Sequence, residues 1–206
     1  MKILLFLLFS ILVNTCNAQE FKEGDIIFQT SQSKQSPLIA YATMSNKTHC
    51  GIIVEKDSKI YVLETLGTIK LTPIQTFIDR GLFKKYWIKR YTNEKLKVEY
   101  KKYLGIKYDL AFKFNNDKYY CSELVYSIYK NDFNIELCKT KQLKEYNLLG
   151  IRDQAKRRGM DEEQFVVSPS DIFVSKYLKN SRWQLSIKAV DILLIVQQEA
   201  TALGIV

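Results

Sequence analysis

Residues 49–66 constrain this chain more than any other segment. Cys50-Gly51-Ile52-Ile53-Val54 and residues 59–66 are strand-like runs, and the polar Lys56-Asp57-Ser58 between them reads as a turn. Two such runs at this separation form an antiparallel hairpin. With the turn centred between Lys56 and Asp57, Ile53 faces Ile60, Gly51 faces Val62 and His49 faces Glu64. Directly opposed residues hold their Cβ atoms about 4.5–5.5 Å apart. Glu64 would then accept a hydrogen bond from one imidazole nitrogen and leave the other for a second partner. A slip of one residue would turn the two side chains to opposite faces, so the pairing is a sharp expectation.

A second segment supplies a partner for that imidazole. Tyr120-Cys121 is followed by Ser-Glu-Leu-Val-Tyr-Ser-Ile-Tyr, in which Leu124, Val125, Ile128 and Tyr129 recur at helical spacing. Cys121 therefore opens an amphipathic helix. Unsatisfied N–H groups and the positive end of the helix dipole favour thiolate over thiol, and thiolate is the nucleophile. His49, the only histidine of the chain, is the base available to it. Glu123 falls in the first helical turn, where its charge would complement the dipole.

The remaining elements are read more coarsely. Ile26-Ile27-Phe28 is a short buried strand after a Gly24-Asp25 turn, with Asp25 bracing that turn. Residues 37–44 read as a helix, 72–79 as a helix ended by Gly81, and 86–91 as a third strand. Residues 94–104 and 136–146 are expected to be helical, 153–164 charged and exposed. Ser168-Pro169-Ser170-Asp171 caps a helix reaching roughly residue 178. Residues 186–196 are apolar enough for a closing element, and 197–206 carry no assignment.

Residues 1–18 read as a secretory signal peptide. Lys2 is its positive n-region, residues 3–13 its apolar run and Cys16-Asn17-Ala18 its cleavage site. The run is too short for a permanent membrane span. Lipidation at Cys16 is a minority alternative, because Val13-Asn14-Thr15 is a poor approach to a lipidated cysteine. Residues 19–206 form one domain. Cleavage removes one lysine and no acid from a chain with 31 basic and 22 acidic side chains, so the mature charge is +8. That favours peripheral contact with an anionic envelope surface, although scattered lysines are ordinarily a solvated face. No nucleic-acid motif accompanies them. Three cysteines remain, Cys50, Cys121 and Cys138, an odd number that excludes a disulfide framework. No Cys-x-x-Cys or His-x-x-x-His spacing marks a zinc site.

Leu104-Gly105-Ile106-Lys107-Tyr108 and Tyr120-Cys121-Ser122-Glu123-Leu124-Val125 resemble the nucleophile region of NlpC-type cysteine hydrolases, with their Gly-x-x-Tyr element and Cys-Ser-x-Leu-Val helix start. Gly24-Asp25-Ile26-Ile27-Phe28 and His49-Cys50-Gly51-Ile52 are similar to their Gly-Asp-Leu and His-Val-Gly-Ile strands. Here the histidine strand precedes the cysteine by 72 positions. That swapped order resembles the YiiX-like, circularly permuted branch of the papain-like superfamily. The similarity covers roughly residues 21–131 and continues faintly to Ser168-Pro169-Ser170-Asp171.

The resemblance implies an α+β papain-like domain, a small antiparallel sheet packed against helices. It implies Cys121 as nucleophile, His49 as general base, Glu64 as the orienting third member and Tyr108 near the oxyanion hole, without cofactor or metal. Cys50 stands where the family commonly has valine, and reads as a small core residue or one half of a regulatory disulfide. Taken singly, a cysteine on an apolar helix is ordinarily packing, a histidine or glutamate on a strand a surface group, and one of 13 tyrosines a core residue. Their joint occurrence favours chemistry. The expected activity is exported amide hydrolysis, with peptidoglycan stem peptides as substrate by analogy. Acyl transfer or cleavage of a thioester or lipid ester is the alternative, with Tyr41, Phe112 and Phe114 as lining of an acyl pocket. A catalytically silent envelope-binding module is the third reading.

Overall fold

A computed structural model describes residues 21–91 and 96–184. The signal peptide, Cys16 and the closing element at 186–196 lie outside the described residues, as does the tail. Ten strands are described: β1 Ile26–Ser31, β2 His49–Lys56, β3 Lys59–Leu66, β4 Thr68–Pro73, β5 Gly81–Arg90, β6 Lys107–Tyr108, β7 Lys118–Tyr119, β8 Lys141–Gln142, β9 Phe165–Val166 and β10 Lys179–Gln184. The α-helices are α1 Ser36–Thr43, α2 Ile74–Asp79, α3 Cys121–Ser127, α4 Arg152–Arg157 and α5 Pro169–Phe173. Eight strands form one sheet in the order β10-β5-β1-β2-β3-β4-β6-β7. Its pairs are antiparallel except β6–β7, and β8–β9 form a separate two-stranded ladder. The architecture is α+β, with a larger sheet than the sequence suggested. No helix among the described residues is long and apolar enough to cross a membrane.

The sheet is buried on both faces, which explains why its central strands read as continuous apolar runs. On one face Ile26, Phe28, Ile52, Val54 and Leu63 pack against Leu124, Val125, Ile128 and Tyr129. On the other, Ile27, Ile53, Val62 and Ile88 pack against Phe77 and Ile78. The helix carrying Cys121 therefore covers one side of the sheet and α2 the other. Tyr129 adds a directional tie, donating its hydroxyl to Gly24 O at 2.6 Å. Asp25 braces the entry to β1: its carboxylate accepts Arg90 Nε at 2.6 Å and Nη2 at 2.7 Å.

The hairpin forms in a different register from the expected one. Ile53 pairs with Val62, Val54 with Tyr61, and Lys56 with Lys59. The turn is thus two residues, Asp57 and Ser58, at φ 50° and 57°. Positive φ at both central positions makes a turn whose twist suits adjoining strands. The register moves by two, not one, so each side chain keeps its face. Carried to the strand end, it sets Glu64 beside Gly51 and diagonal to His49.

Two expected helices do not form among the described residues. Residues 96–99 are irregular and only Tyr100–Tyr103 forms a short 3₁₀ turn. Val98 is buried, and its N–H donates to Glu23 Oε1 at 3.0 Å, while Leu96 N donates to Glu23 O at 3.2 Å. Burying one valine is worth about 1.5–3 kcal/mol, more than the tenths gained per residue from helix propensity. In 136–146, Ser175 Oγ takes the carbonyl of Leu137 and β8 pairs with β9, leaving only a 3₁₀ turn at Leu143–Glu145. The helix after Ser168 ends at Phe173; its capping box with Asp171 is present.

Gly51 is sterically required. A Cβ there would come within 2.4 Å of Val62 Cγ1 and 2.8 Å of Leu63 O, and 3.3 Å of Glu64 Cβ. The Leu63 carbonyl belongs to the backbone and cannot rotate away. Gly51→Ala should lower unfolding free energy by about 1–3 kcal/mol, read as a lower denaturant midpoint at unchanged slope.

Candidate active site

Cys121 is positioned by what lies on either side of it. Tyr120 is buried, with its ring edge-on to Phe112 at 5.0 Å and Phe114 at 6.1 Å. Its hydroxyl accepts Val167 N at 3.0 Å, and Ser122 Oγ donates to Val167 O at 2.8 Å. The helix start is clamped to the chain leaving β9 at two points, one residue before and one after the thiol. Cys121 itself is buried at the wall of a cleft of about 1150 Å³, which it lines with His49, Thr65, Arg80, Tyr108 and Gln35.

His49 opens β2 beside Gln29 of β1. Its Nε2 lies 2.6 Å from Glu64 Oε2, and its ring stacks on Phe77, with centroids 5.7 Å apart and planes at 25°. The contact spans the diagonal of the hairpin, where Cβ separations are about 7–8 Å and a long side chain can still reach. Gly51 lies between the two and leaves that path open. With Nε2 committed to the carboxylate, Nδ1 is the nitrogen left for the hydrogen bond to Cys121. The other carboxylate oxygen, Oε1, accepts Arg80 Nη2.

The three groups shift one another strongly. Burial alone would lower the imidazole, but hydrogen bonds to Cys121 and Glu64 hold it up at about 10. Burial alone would raise Glu64, but the His49 hydrogen bond and charge and the Arg80 guanidinium bring it down to about 2. Cys121 is brought well below an ordinary thiol, first by a hydrogen bond from Cys50 and then, against desolvation, by the hydrogen bond and charge of His49. These shifts all favour the charged forms, thiolate on Cys121, imidazolium on His49 and carboxylate on Glu64. The raised imidazole stabilises the fold fully below its unfolded value of about 6.5, and this contribution is lost as pH rises through about 10. The depressed carboxyl contributes above about 4.5 and loses its effect as pH falls through about 2.

Cys50 was expected in the core, and it is fully buried there; its contact with Cys121 was not anticipated. The alternation of strand faces contained the signal: Cys50 points opposite to His49, toward the face that α3 covers. Burial pushes its own thiol up, so it donates to the thiolate rather than competing for a proton. Among the described residues Cys50, Cys121 and Cys138 are free, so no disulfide joins Cys50 to either of the others.

Tyr108 lines the same cleft, and its hydroxyl donates to Gln35 Oε1 at 3.1 Å. Burial, with the charge of Cys121 next, raises it well above the ordinary phenol, so it remains a donor. Glu123 departs from expectation. It is buried and pushed up to about 8, so it is uncharged near neutrality and contributes no charge to the helix start. Its Oε2 accepts Tyr120 N at 3.4 Å. Of the residues expected to line an acyl pocket, only Phe112 does so. It borders an apolar recess of about 90 Å³ beside Cys121, with Ile39, Leu143, Val166 and Val167. Phe114 packs on Tyr120 and Tyr126, and Tyr41 is exposed.

The sequence pattern of the permuted papain-like amidases, the YaeF/YiiX C92 family, matches residues 20–180. The chain belongs to this family. As a member it is a papain-like hydrolase of the amidase type. It is 36% identical over 180 residues to protein YiiX of Escherichia coli (strain K12), covering 81% of this chain and 89% of that protein. Among solved structures it is similar to that of metalloprotein yiiX from Escherichia coli O157:H7, at TM-score 0.74 and 34% identity, over 81% of this chain and 99% of that one. Among the described residues here, no group of three or more His, Cys, Asp and Glu side chains is arranged to hold a metal ion. His49 and Cys121 are instead engaged with each other.

Iodoacetamide at pH 6 should modify Cys121 faster than Cys50 or Cys138, whose thiols burial pushes up, that of Cys138 to about 12. Replacing Cys50 by Ala removes the leading donor to the thiolate. It should slow Cys121 alkylation at acid pH while leaving it the fastest thiol, as read by mass spectrometry of the labelled peptides.

Proposed function

We propose that this chain is an exported thiol amidase cleaving an amide bond in peptidoglycan stem peptides, with Cys121, His49 and Glu64 as its catalytic set. One observation carries the reading. The bond between His49 Nε2 and Glu64 leaves Nδ1 against a depressed thiol, at the wall of a cleft large enough for a peptide. The thiolate attacks the amide carbon, and the C–O π electrons move to oxygen. The Cys121 backbone N–H and the Tyr108 hydroxyl donate to that oxyanion. The imidazolium gives its proton to the departing amine, leaving a thioester. Water then loses a proton to His49 as it attacks the thioester, and collapse releases the acid and restores the thiolate. Glu64 stays ionised throughout and holds the ring in one tautomer.

A second reading has an observation of its own. The apolar recess beside Cys121 shares Ile39, Ala42, Phe112 and Leu143 with a neighbouring recess of about 80 Å³. A substrate whose acyl group is a hydrocarbon chain, joined through an ester or thioester, would seat there and leave its polar part in the larger cleft. The mechanism is the same, and only the leaving group differs.

Purified protein should release new amino groups from peptidoglycan fragments, and Cys121→Ala should abolish that release. Turnover of acyl thioesters with no turnover of the fragments would select the second reading. Tyr108→Phe should retain the thioester step but lower kcat by about 10²–10³-fold, the usual worth of one oxyanion donor.

A further inference from the structure

The pair His49–Glu64 is gripped by a single turn of chain at the end of α2. Arg80 follows that helix and lines the cleft. Its Nη2 donates to Glu64 Oε1 while His49 holds Oε2. Its Nε reaches back to Thr76 O at 3.4 Å, and Cζ lies 5.8 Å from the Phe77 ring centroid. Gln32 Nε2 ties the carbonyls of Arg80 and Gly81 to the cleft rim at 3.4 and 3.3 Å. Phe77, three residues earlier, is the ring on which His49 stacks. Imidazole and carboxylate are thus each held by a side chain from this one turn, on the sheet face opposite the Cys121 helix.

We propose that Arg80 is a positioning residue for the reaction: its guanidinium locks the Glu64 carboxylate in the orientation that holds His49 Nε2, with Phe77 fixing the ring plane, so that Nδ1 stays aimed at Cys121. The Glu64 side chain is fully buried, and a buried carboxylate is tolerable as an anion only when paired. The charged groups facing it are His49 from β2, Arg80 from beyond α2, and Lys70, its cross-strand partner in β4. Lys70 is exposed and contributes through solvent, while nearby Asp79 pairs outward with Lys84 at 3.3 Å. Arg80 is therefore the permanent charge on the carboxylate. The planar fork suits this task, because one nitrogen binds the carboxylate while Nε anchors to the helix. Lysine would supply the charge without that second anchor.

The inference rests on the ion-pair reading of Cys121 and His49, and one experiment separates the two. The rate of Cys121 alkylation by iodoacetamide is measured against pH in the wild type, Arg80→Gln and Arg80→Lys, with circular dichroism at each pH. Wild type should show a plateau extending well to the acid side of an ordinary thiol. In Arg80→Gln the carboxylate loses its permanent partner, Glu64 takes up its proton at higher pH, and His49 loses its anchor. The acid limb should move up, by less than the about one to three pH units that a close opposite charge is worth on the carboxylate it faces. Arg80→Lys should fall between. A limb unmoved in Arg80→Gln would overturn the assignment. So would both variants collapsing to an ordinary thiol profile, because that is the outcome of a merely structural role. A wild type without the acid plateau would overturn the ion pair itself, and the Arg80 role with it.

Discussion

The site depends on one buried contact, the hydrogen bond between His49 Nε2 and Glu64. A charged pair with neither partner in water is stable only if geometry and further hydrogen bonds offset desolvation. Each element around it meets part of that requirement. The two-residue turn at Asp57 and Ser58 sets the strands so that the two side chains share a face. Gly51 leaves the diagonal between them open. Phe77 and Arg80 close it from the α2 side, and α3 delivers the thiol from the other. Removing either charge would strand the other in a fully packed sheet, so the contact is a requirement of the fold as well as of the chemistry.

Much of this geometry was legible in the sequence, for a specific reason. Strand faces alternate with period two, so the relation between His49, Cys50 and Glu64 depends only on parity. The expected register was wrong by two residues, yet parity survived, and with it the prospect of contact. What failed was the distinction between directly opposed and diagonal partners, which depends on turn type. Asp57-Ser58 carries no glycine, and that made the two-residue turn hard to see. The absent helices at 94–104 and 136–146 failed for another reason. Local composition there favours helix weakly, and the decisive partners, Glu23 for Val98 and Ser175 for Leu137, are remote in the chain. Strand β10 and the grip of Arg80 were likewise invisible, since nothing near them in sequence announces their partners.

Cys50 shows how a packing position can acquire an electrostatic role. On the face that α3 covers, any small apolar side chain would fill the space. A thiol fills it and also donates its S–H toward the Cys121 thiolate. Because burial raises its own ionisation, the donor stays protonated across the range in which Cys121 is ionised. Two cysteines in contact thus divide roles: Cys121 is favoured as an anion by the Cys50 hydrogen bond and the His49 charge, and Cys50 is kept neutral by burial and by the anion beside it. The site gains a hydrogen bond that valine at this position would not provide.

The permuted chain order follows from the same economy of contacts. The chemistry requires a sulfur at a helix start against one face of a sheet, and an imidazole and carboxylate on adjacent strands of it. None of those relations depends on which element comes first. In this chain the strands precede the helix, and the connection between them runs through β4, α2, β5, β6 and β7 before reaching Cys121. That long connection is itself used, because α2 supplies the ring under His49 and leads into the guanidinium on Glu64. The segment between histidine and cysteine is therefore part of the site's architecture, and changes confined to residues 74–81 should act on the chemistry of a thiol forty or more positions away.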